Sequence, residues 1–185
     1  MSSINTSNKI SIVSLANQIS QLSAQISTYL RVSSQPEPDF SVHSANVPET
    51  PEYEALRASL NDAALDLLRL INGPRSTLRS LFFSHYDLAA LQVALEHRFF
   101  DHVPLPLGVT GVKAENGLEI VHGAPAADIA EKAGMDEDRT ARVLRILATQ
   151  RIFEEVSGGE GMFRHTANSV LFARDEEFSE MARMQ

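Results

Sequence analysis

Two stretches of this chain carry apolar residues in steps of three and four, and that spacing constrains the fold more than any other feature of the sequence. Ile12, Leu15, Ile19, Leu22, Ile26 and Tyr29 form the first stripe, and Tyr53, Leu56, Leu60, Ala63, Leu67 and Leu70 repeat it. Such steps return to one side of an α-helix, so each stretch is an amphipathic helix with a face to bury. The first stripe is set among Ser11, Ser14, Ser20, Gln21, Ser23, Gln25 and Ser27, a weak helix-forming background that makes this helix dependent on a partner surface. The second begins at Thr50-Pro51-Glu52, a cap followed by proline at the first helical position, and stops at Asn72-Gly73. Pro74 restarts a short helix bearing Leu78, Leu81 and Phe82, and Asp87 is placed to cap a fourth whose apolar face is Leu88, Leu91, Leu95 and Phe99. Between the two stripes, Pro36, Pro38, Pro48 and Pro51 with Glu, Asp and Ser offer little to bury and read as a loop or mobile linker.

The back half follows another order. After a Pro/Gly loop over 103–117, the run Leu118, Glu119, Ile120 and Val121 is a strand candidate, and Pro125 opens a helix that ends at Gly134. Asp136 caps a further helix from Glu137 to about Gln150, with Val143, Leu144 and Leu147 inward. Ile152 to Val156, the glycine-rich turn 157–161 and Met162 to His165 make a hairpin. Strand, helix, turn, helix, hairpin is the order of a winged helix. A last helical pattern from Asp175 carries Phe178, Met181 and Ala182. The expected fold class is therefore mainly α: a helical bundle, then a winged helix-turn-helix with a small β-ribbon.

Composition excludes whole classes of chemistry. The chain has no cysteine, which removes disulfides, Cys-ligated zinc, iron–sulfur clusters and thiol nucleophiles. A formal net charge of −8 opposes attraction to phosphate backbones and anionic lipid, so neither nucleic acid nor membrane is an expected partner. Nowhere do eighteen apolar residues run together, and Lys9 is the one cation near a start that lacks an export-signal core; the expectation is a soluble, unexported, cytoplasmic protein.

Several pieces in series resemble the N-terminal dimerisation domain of plant- and fungal-type S-adenosylmethionine-dependent O-methyltransferases, above all those of fungal secondary metabolism. They are Ala90-Leu91-Gln92-Val93-Ala94-Leu95 leading into Phe99-Phe100-Asp101; Ala127-Asp128-Ile129-Ala130-Glu131-Lys132-Ala133-Gly134-Met135-Asp136; Arg142-Val143-Leu144-Arg145-Ile146-Leu147-Ala148; Ile152-Phe153-Glu154-Glu155; and Phe163-Arg164-His165-Thr166-Ala167-Asn168-Ser169. The chain departs from the pattern at Ala124, where a Ser or Thr cap is usual, and at Ala167, where proline is usual. The resemblance implies a homodimer whose helices intertwine across a two-fold axis and lend apolar residues to the partner's acceptor pocket. The ten residues expected at that interface are Ile12, Leu15, Ile19, Leu22, Ile26, Leu56, Leu60, Leu67, Leu91 and Leu95. It also implies a following Rossmann-like domain with a glycine-rich cofactor loop and a histidine base, and nothing after His165 has that form. The segments so implied are an N-terminal amphipathic helix over 1–34, a Pro/Ser-rich linker over 35–50, a helical dimerisation segment over 51–102, a winged-helix segment over 103–173 and the start of an inter-domain helix over 174–185. A truncated product, an excised piece and a stand-alone descendant all fit.

Other chemistry was weighed residue by residue. Gly158, Gly159 and Gly161 follow a strand but lead into Met162-Phe163-Arg164-His165, not a helix N-terminus, so they suit a wing turn better than a cofactor loop. Arg139, Arg142 and Arg145 make a basic stripe, but the groove-facing first turn of that helix is Asp136-Glu137-Asp138, which suits the helix dipole and repels phosphate. His97 and Asp101, with His102 nearby, stand at metal-ligand spacing without a third ligand. His165 with Glu154 or Glu155 across the hairpin could mimic an acid–base pair, although wing residues are usually exposed. The expected role is a non-catalytic dimerisation and substrate-pocket-shaping domain, with no catalytic, cofactor or metal residues in this chain. Its partners would be a second copy and a small apolar or aromatic acceptor, with S-adenosylmethionine belonging to the parent enzyme. The alternatives are a winged-helix DNA-binding regulator and a stand-alone small-molecule binder or pericyclase-like protein.

Overall fold

The computed structural model of the chain describes residues 10–105, 123–156 and 161–183. It divides into two units, Met1–Pro38 with Ala45–Phe82 and Asp39–Ser44 with Phe83–Gln185.

The first unit is a pair of helices, α1 (Ile12–Val32) and α2 (Pro51–Phe83). Ser11 and Ser14 open α1 with reciprocal side-chain to backbone hydrogen bonds, which satisfy two of the N–H groups a helix start leaves without partners. Thr50 caps α2, its Oγ1 accepting the Tyr53 N–H at 3.3 Å. As the Asn72-Gly73-Pro74 signal predicts, α2 breaks at Gly73, whose φ of 66° is a left-handed conformation that glycine adopts at little cost, and resumes at Pro74. The helices run antiparallel: the Tyr29 ring lies 5.7 Å from that of Tyr53, and at the other end Leu15 and Ala63 line one cleft. The two stripes meet, and Leu15, Leu30, Tyr53 and Ala63 are the residues they bury.

The second unit contains α3 (His85–Glu96), α4 (Phe99–His102), β1 (Ala124–Pro125), α5 (Ala126–Ala133), α6 (Glu137–Thr149), β2 (Phe153–Glu155), β3 (Met162–His165), α7 (Ala167–Arg174) and α8 (Glu176–Arg183). The strands form one antiparallel sheet in the order β1-β3-β2. Leu144 and Leu147 of α6 pack with Ile129 of α5, Phe99 and Phe100 of α4 and the inward-facing Phe153 and Phe163 of the hairpin. Phe100 stacks on Phe153 at 5.1 Å between ring centroids. Gly134 terminates α5 with φ 66°, and Asp136 Oδ1 accepts the Arg139 N–H at 3.0 Å to start α6, both as the sequence predicts. The protein is mainly α-helical with a small three-stranded sheet, the fold class expected.

One expectation lies outside the described residues, and three details differ from expectation. The strand candidate at residues 118–121 lies outside the described residues, and the first strand described is Ala124–Pro125. Asp87 does not cap α3: Ser84 precedes the helix in helical geometry (φ −61°, ψ −21°), so the chain never makes the extended step a cap needs, and Asp87 instead accepts from Gln150 Nε2 at 2.8 Å. Residues 167–174, for which no helix is expected from the sequence, form α7, opened by the Thr166 and Ser169 capping pair. Within the connector, Asp39–Ser44 is held against the second unit, with Val42 buried.

A Leu144→Ala substitution should remove about 2–5 kcal/mol of stability, because a fully buried leucine leaves both lost transfer energy and a cavity. Chemical denaturation followed by circular dichroism measures it. A loss under 1 kcal/mol would show that the core described here is not the one that holds the second unit together.

Candidate functional site

The first unit exposes more apolar surface than a helix pair in water normally does. On α2, Leu65 lies opposite the seam and Leu68 and Ile71 step round the helix from it, all three exposed, with Leu68 at 56%. Beyond the break, Leu78, Leu81 and Phe82 are 53%, 67% and 70% exposed. Separately, where the end of α1 meets the start of α2, lies an open groove of about 670 Å³ lined by Ala24, Thr28, Tyr29, Val32, Ser33 and Leu56, almost wholly apolar in its walls. Apolar surface left in water is what an interaction site presents.

The ten residues named from the sequence are placed as follows. Leu15 and Leu95 are buried, Leu95 inside the core of the second unit, so neither has surface left for another molecule. Ile19, Leu22, Ile26, Leu56, Leu60 and Leu67 are half-buried along the α1–α2 seam, and Leu91 is half-buried on the core of the second unit. Ile12 is exposed. Sequence reasoning missed the stripe at Leu65, Leu68 and Ile71, although its steps of three were there to be counted.

Two of the three arginines in the α6 stripe, Arg142 and Arg145, are paired within the molecule. Arg142 meets Asp138, Arg145 Nη2 lies 3.2 Å from Glu155, and on the wing Arg164 makes two 2.8 Å bonds to Glu154. Glu154 is held below the ordinary carboxylate range by its hydrogen bond from Arg164. These arginines therefore present ion pairs, not open positive charge, to any passing phosphate. At the end of α3, His97 Nδ1 donates to the Ala133 carbonyl at 3.2 Å and Asp101 accepts from Arg98 at 2.7 Å, so both have partners within the protein. Among the described residues no three His, Asp or Glu side chains converge as a metal ion requires. Gly158 and Gly159 lie outside the described residues; Gly161 has φ 75° and its carbonyl accepts the Ala126 N–H at 2.8 Å, at the start of a helix whose N-cap, Pro125, has no side chain to do so.

His165 corrects the exposed acid–base reading. In the β2–β3 register it sits opposite Phe153, while Arg164 sits opposite Glu154, so His165 faces the core and is only 3% exposed. Side chains alternate along a strand, and Phe163 pointing inward requires His165 to do the same, a signal already in the sequence. Its Nε2 lies 3.0 Å from the Val103 carbonyl, which can only accept, so the proton is on Nε2. Nδ1 then accepts from the Ser169 hydroxyl at 2.9 Å, and Ser169 Oγ accepts the Thr166 N–H at 2.9 Å. Burial pushes the imidazole down to about 4 against the opposing pull of nearby backbone carbonyls. It is a neutral structural histidine that ties the end of the α4 segment to the start of α7.

Comparison with known proteins agrees with this architecture. The model of the O-methyltransferase dimerisation domain family matches residues 80–175, and the chain belongs to that family. It is 44% identical over 172 residues to O-methyltransferase sol2 of Alternaria solani, covering 93% of this chain and 36% of that protein. It is 31% identical over 171 residues to O-methyltransferase CTB2 of Cercospora beticola, covering 88% and 33%. The crystal structure of OxaC shares the fold, with a TM-score of 0.61 at 17% identity over 92% of this chain and 35% of that one; OxaC has also been solved in complex with SAH and oxaline. The chain thus spans about a third of the length of the relatives it matches, and no described helix is long and apolar enough to cross a membrane.

His165 gives the protein a pH dependence of defined sign. A histidine that titrates near 4 when folded and near 6.5 when unfolded stabilises the fold fully above pH 6.5, and that stability is lost as pH falls from 6.5 through 4. The change is on the order of 3 kcal/mol. Thermal unfolding of the parent and of His165→Gln at several pH values in that window checks this. The variant should be less stable at pH 7 and should lose less on acidification; parallel pH profiles would contradict the role given to His165.

Proposed function

We propose that this chain is the dimerisation module of an O-methyltransferase of fungal secondary metabolism: two copies associate through the helical first unit, and the winged-helix unit carries those helices. The carrying observation is the exposed apolar surface of α2 over residues 65–82, in a chain whose family is named for dimerisation. Each large apolar side chain left in water forgoes roughly 1.5–3 kcal/mol, and a few such residues are enough to offset the entropic cost of association at micromolar concentration. Symmetric pairing of one surface with itself is the commonest arrangement. Ile12, Ile19, Leu22, Ile26, Leu56, Leu60, Leu67 and Leu91 keep part of their surface for the same contact, with α2's outer stripe beside them. In this reading the segments from 1–34 to 174–185 divide the work as the sequence implies, and a small apolar or aromatic acceptor meets the dimer in the parent enzyme. S-adenosylmethionine is held elsewhere in that enzyme, and the protein works in the cytoplasm. The pairing of Arg142, Arg145 and Arg164 with carboxylates argues against nucleic acid as a partner.

Light scattering behind size exclusion should give a dimer for the parent at micromolar concentration. It should give a monomer for the double variant Leu68→Asp with Leu78→Asp, whose helical circular dichroism should be unchanged because both positions are exposed within one chain. A parent that stays monomeric at high micromolar concentration overturns the reading. Calorimetry of this chain with S-adenosylmethionine should show no saturable heat, and micromolar binding would place a cofactor site where none is proposed.

A further inference from the structure

The connector between α1 and α2 leaves the first unit and returns to it. Up to Pro38 and again from Ala45 the chain groups with the helix pair, while Asp39–Ser44 groups with the second unit. A proline-rich acidic segment gains little by burial and normally stays solvated, so a fixed excursion needs a specific cause.

The segment holds its own shape. Asp39 Oδ1 accepts the Ser41 N–H at 2.8 Å, Ser44 Oγ accepts the Asp39 N–H at 2.9 Å, and the Ser44 N–H donates to the Ser41 carbonyl at 3.0 Å. Side-chain closure of this kind forms a turn without outside help. It is also seated. The Ala167 N–H donates to the Phe40 carbonyl at 3.1 Å, the Arg151 guanidinium lies 5.3 Å from the centre of the Phe40 ring, and Val42 is buried. Ala167 is the first residue of α7, and its N–H is one of those that a helix cannot satisfy from within. Arg151 is fixed in turn: at φ 56° its carbonyl accepts from Thr166 Oγ1 at 2.8 Å and from Asn168 Nδ2 at 3.0 Å. The seat is thus built before Phe40 arrives, from groups that the hairpin and α7 already hold.

We infer that Asp39–Ser44 is a strap, a preformed turn latched by Phe40 onto Arg151 and Ala167, which fastens the α1–α2 connector to the winged-helix unit and releases as a piece while both units stay folded. Closed, it shortens the mobile part of the connector; open, it frees the connector from end to end.

Amide hydrogen exchange on the full chain tests this with two variants chosen to spare the fold. Arg151→Gly removes the guanidinium and suits the positive φ. Ala167→Pro removes only the N–H, at a first helical position preceded by an extended Thr166 (φ −113°, ψ −180°), a setting proline favours. Arg151→Gly should speed exchange of the Ala167 N–H, which donates to the Phe40 carbonyl, at least tenfold, and the two substitutions together should open the bond after Phe40 to chymotrypsin, while Ser41 and Ser44, bonded within the turn, and Leu144 and Leu147 exchange as in the parent. Unchanged exchange at Ala167 in Arg151→Gly together with an uncut Phe40 bond in the double variant would overturn the proposal. So would a rise at Leu144 of the same size, since the segment would then unfold with the core and not as a separate piece.

Discussion

Two helices cannot enclose a core. Packed together, α1 and α2 shield one stripe on each, and whatever is apolar on their other sides stays in water. The seam buries Leu15, Leu30, Tyr53 and Ala63, yet Leu65, Leu68 and Ile71 stand outside it and Leu78 follows beyond the break at Gly73. A solvated helix would carry Lys, Glu or Gln at these positions. Leucine there leaves apolar surface in water, which a second copy covers in the function proposed.

The second unit has the opposite character. Its helices and three short strands close around Leu144, Leu147, Phe99, Phe153 and Phe163, and its polar interior is satisfied: His165 uses both ring nitrogens, and Asp136 and Thr166 cap their helices. A unit with its own closed core can serve as a scaffold, although Phe83, Tyr86 and Leu88 at its start are more than half exposed. That division fits a family defined by association, and on α6 Arg142 and Arg145 are turned to Asp138 and Glu155 of the same unit.

Much of this was legible in the sequence, wherever the determining interactions are local. The two stripes gave α1 and α2; Thr50, Asp136 and Gly134 marked helix ends; Gly73-Pro74 marked the break; and the order strand, helix, helix, hairpin pointed to a winged helix. What escaped notice depended on other causes. Leu65, Leu68 and Ile71 were overlooked because α2 is apolar on two sides, and a single stripe satisfies the eye. His165 was misjudged by its place on a wing, although alternation from Phe163 settles its direction. Asp87 was read as a cap because the sequence does not reveal that Ser84 keeps helical geometry. The seat of Phe40 on Arg151 and Ala167 spans more than a hundred residues of chain, and no local pattern encodes it.

The central claim, that the outer face of α2 is covered by a second copy, is tested most directly by hydroxyl-radical footprinting of the same protein at low nanomolar and at high micromolar concentration. The account predicts that Leu65, Leu68, Ile71 and Leu78 react readily when dilute and become several-fold less reactive when concentrated, while buried residues such as Leu15 and Leu144 keep their own rates. Equal reactivity of those four leucine and isoleucine side chains at both concentrations would contradict it.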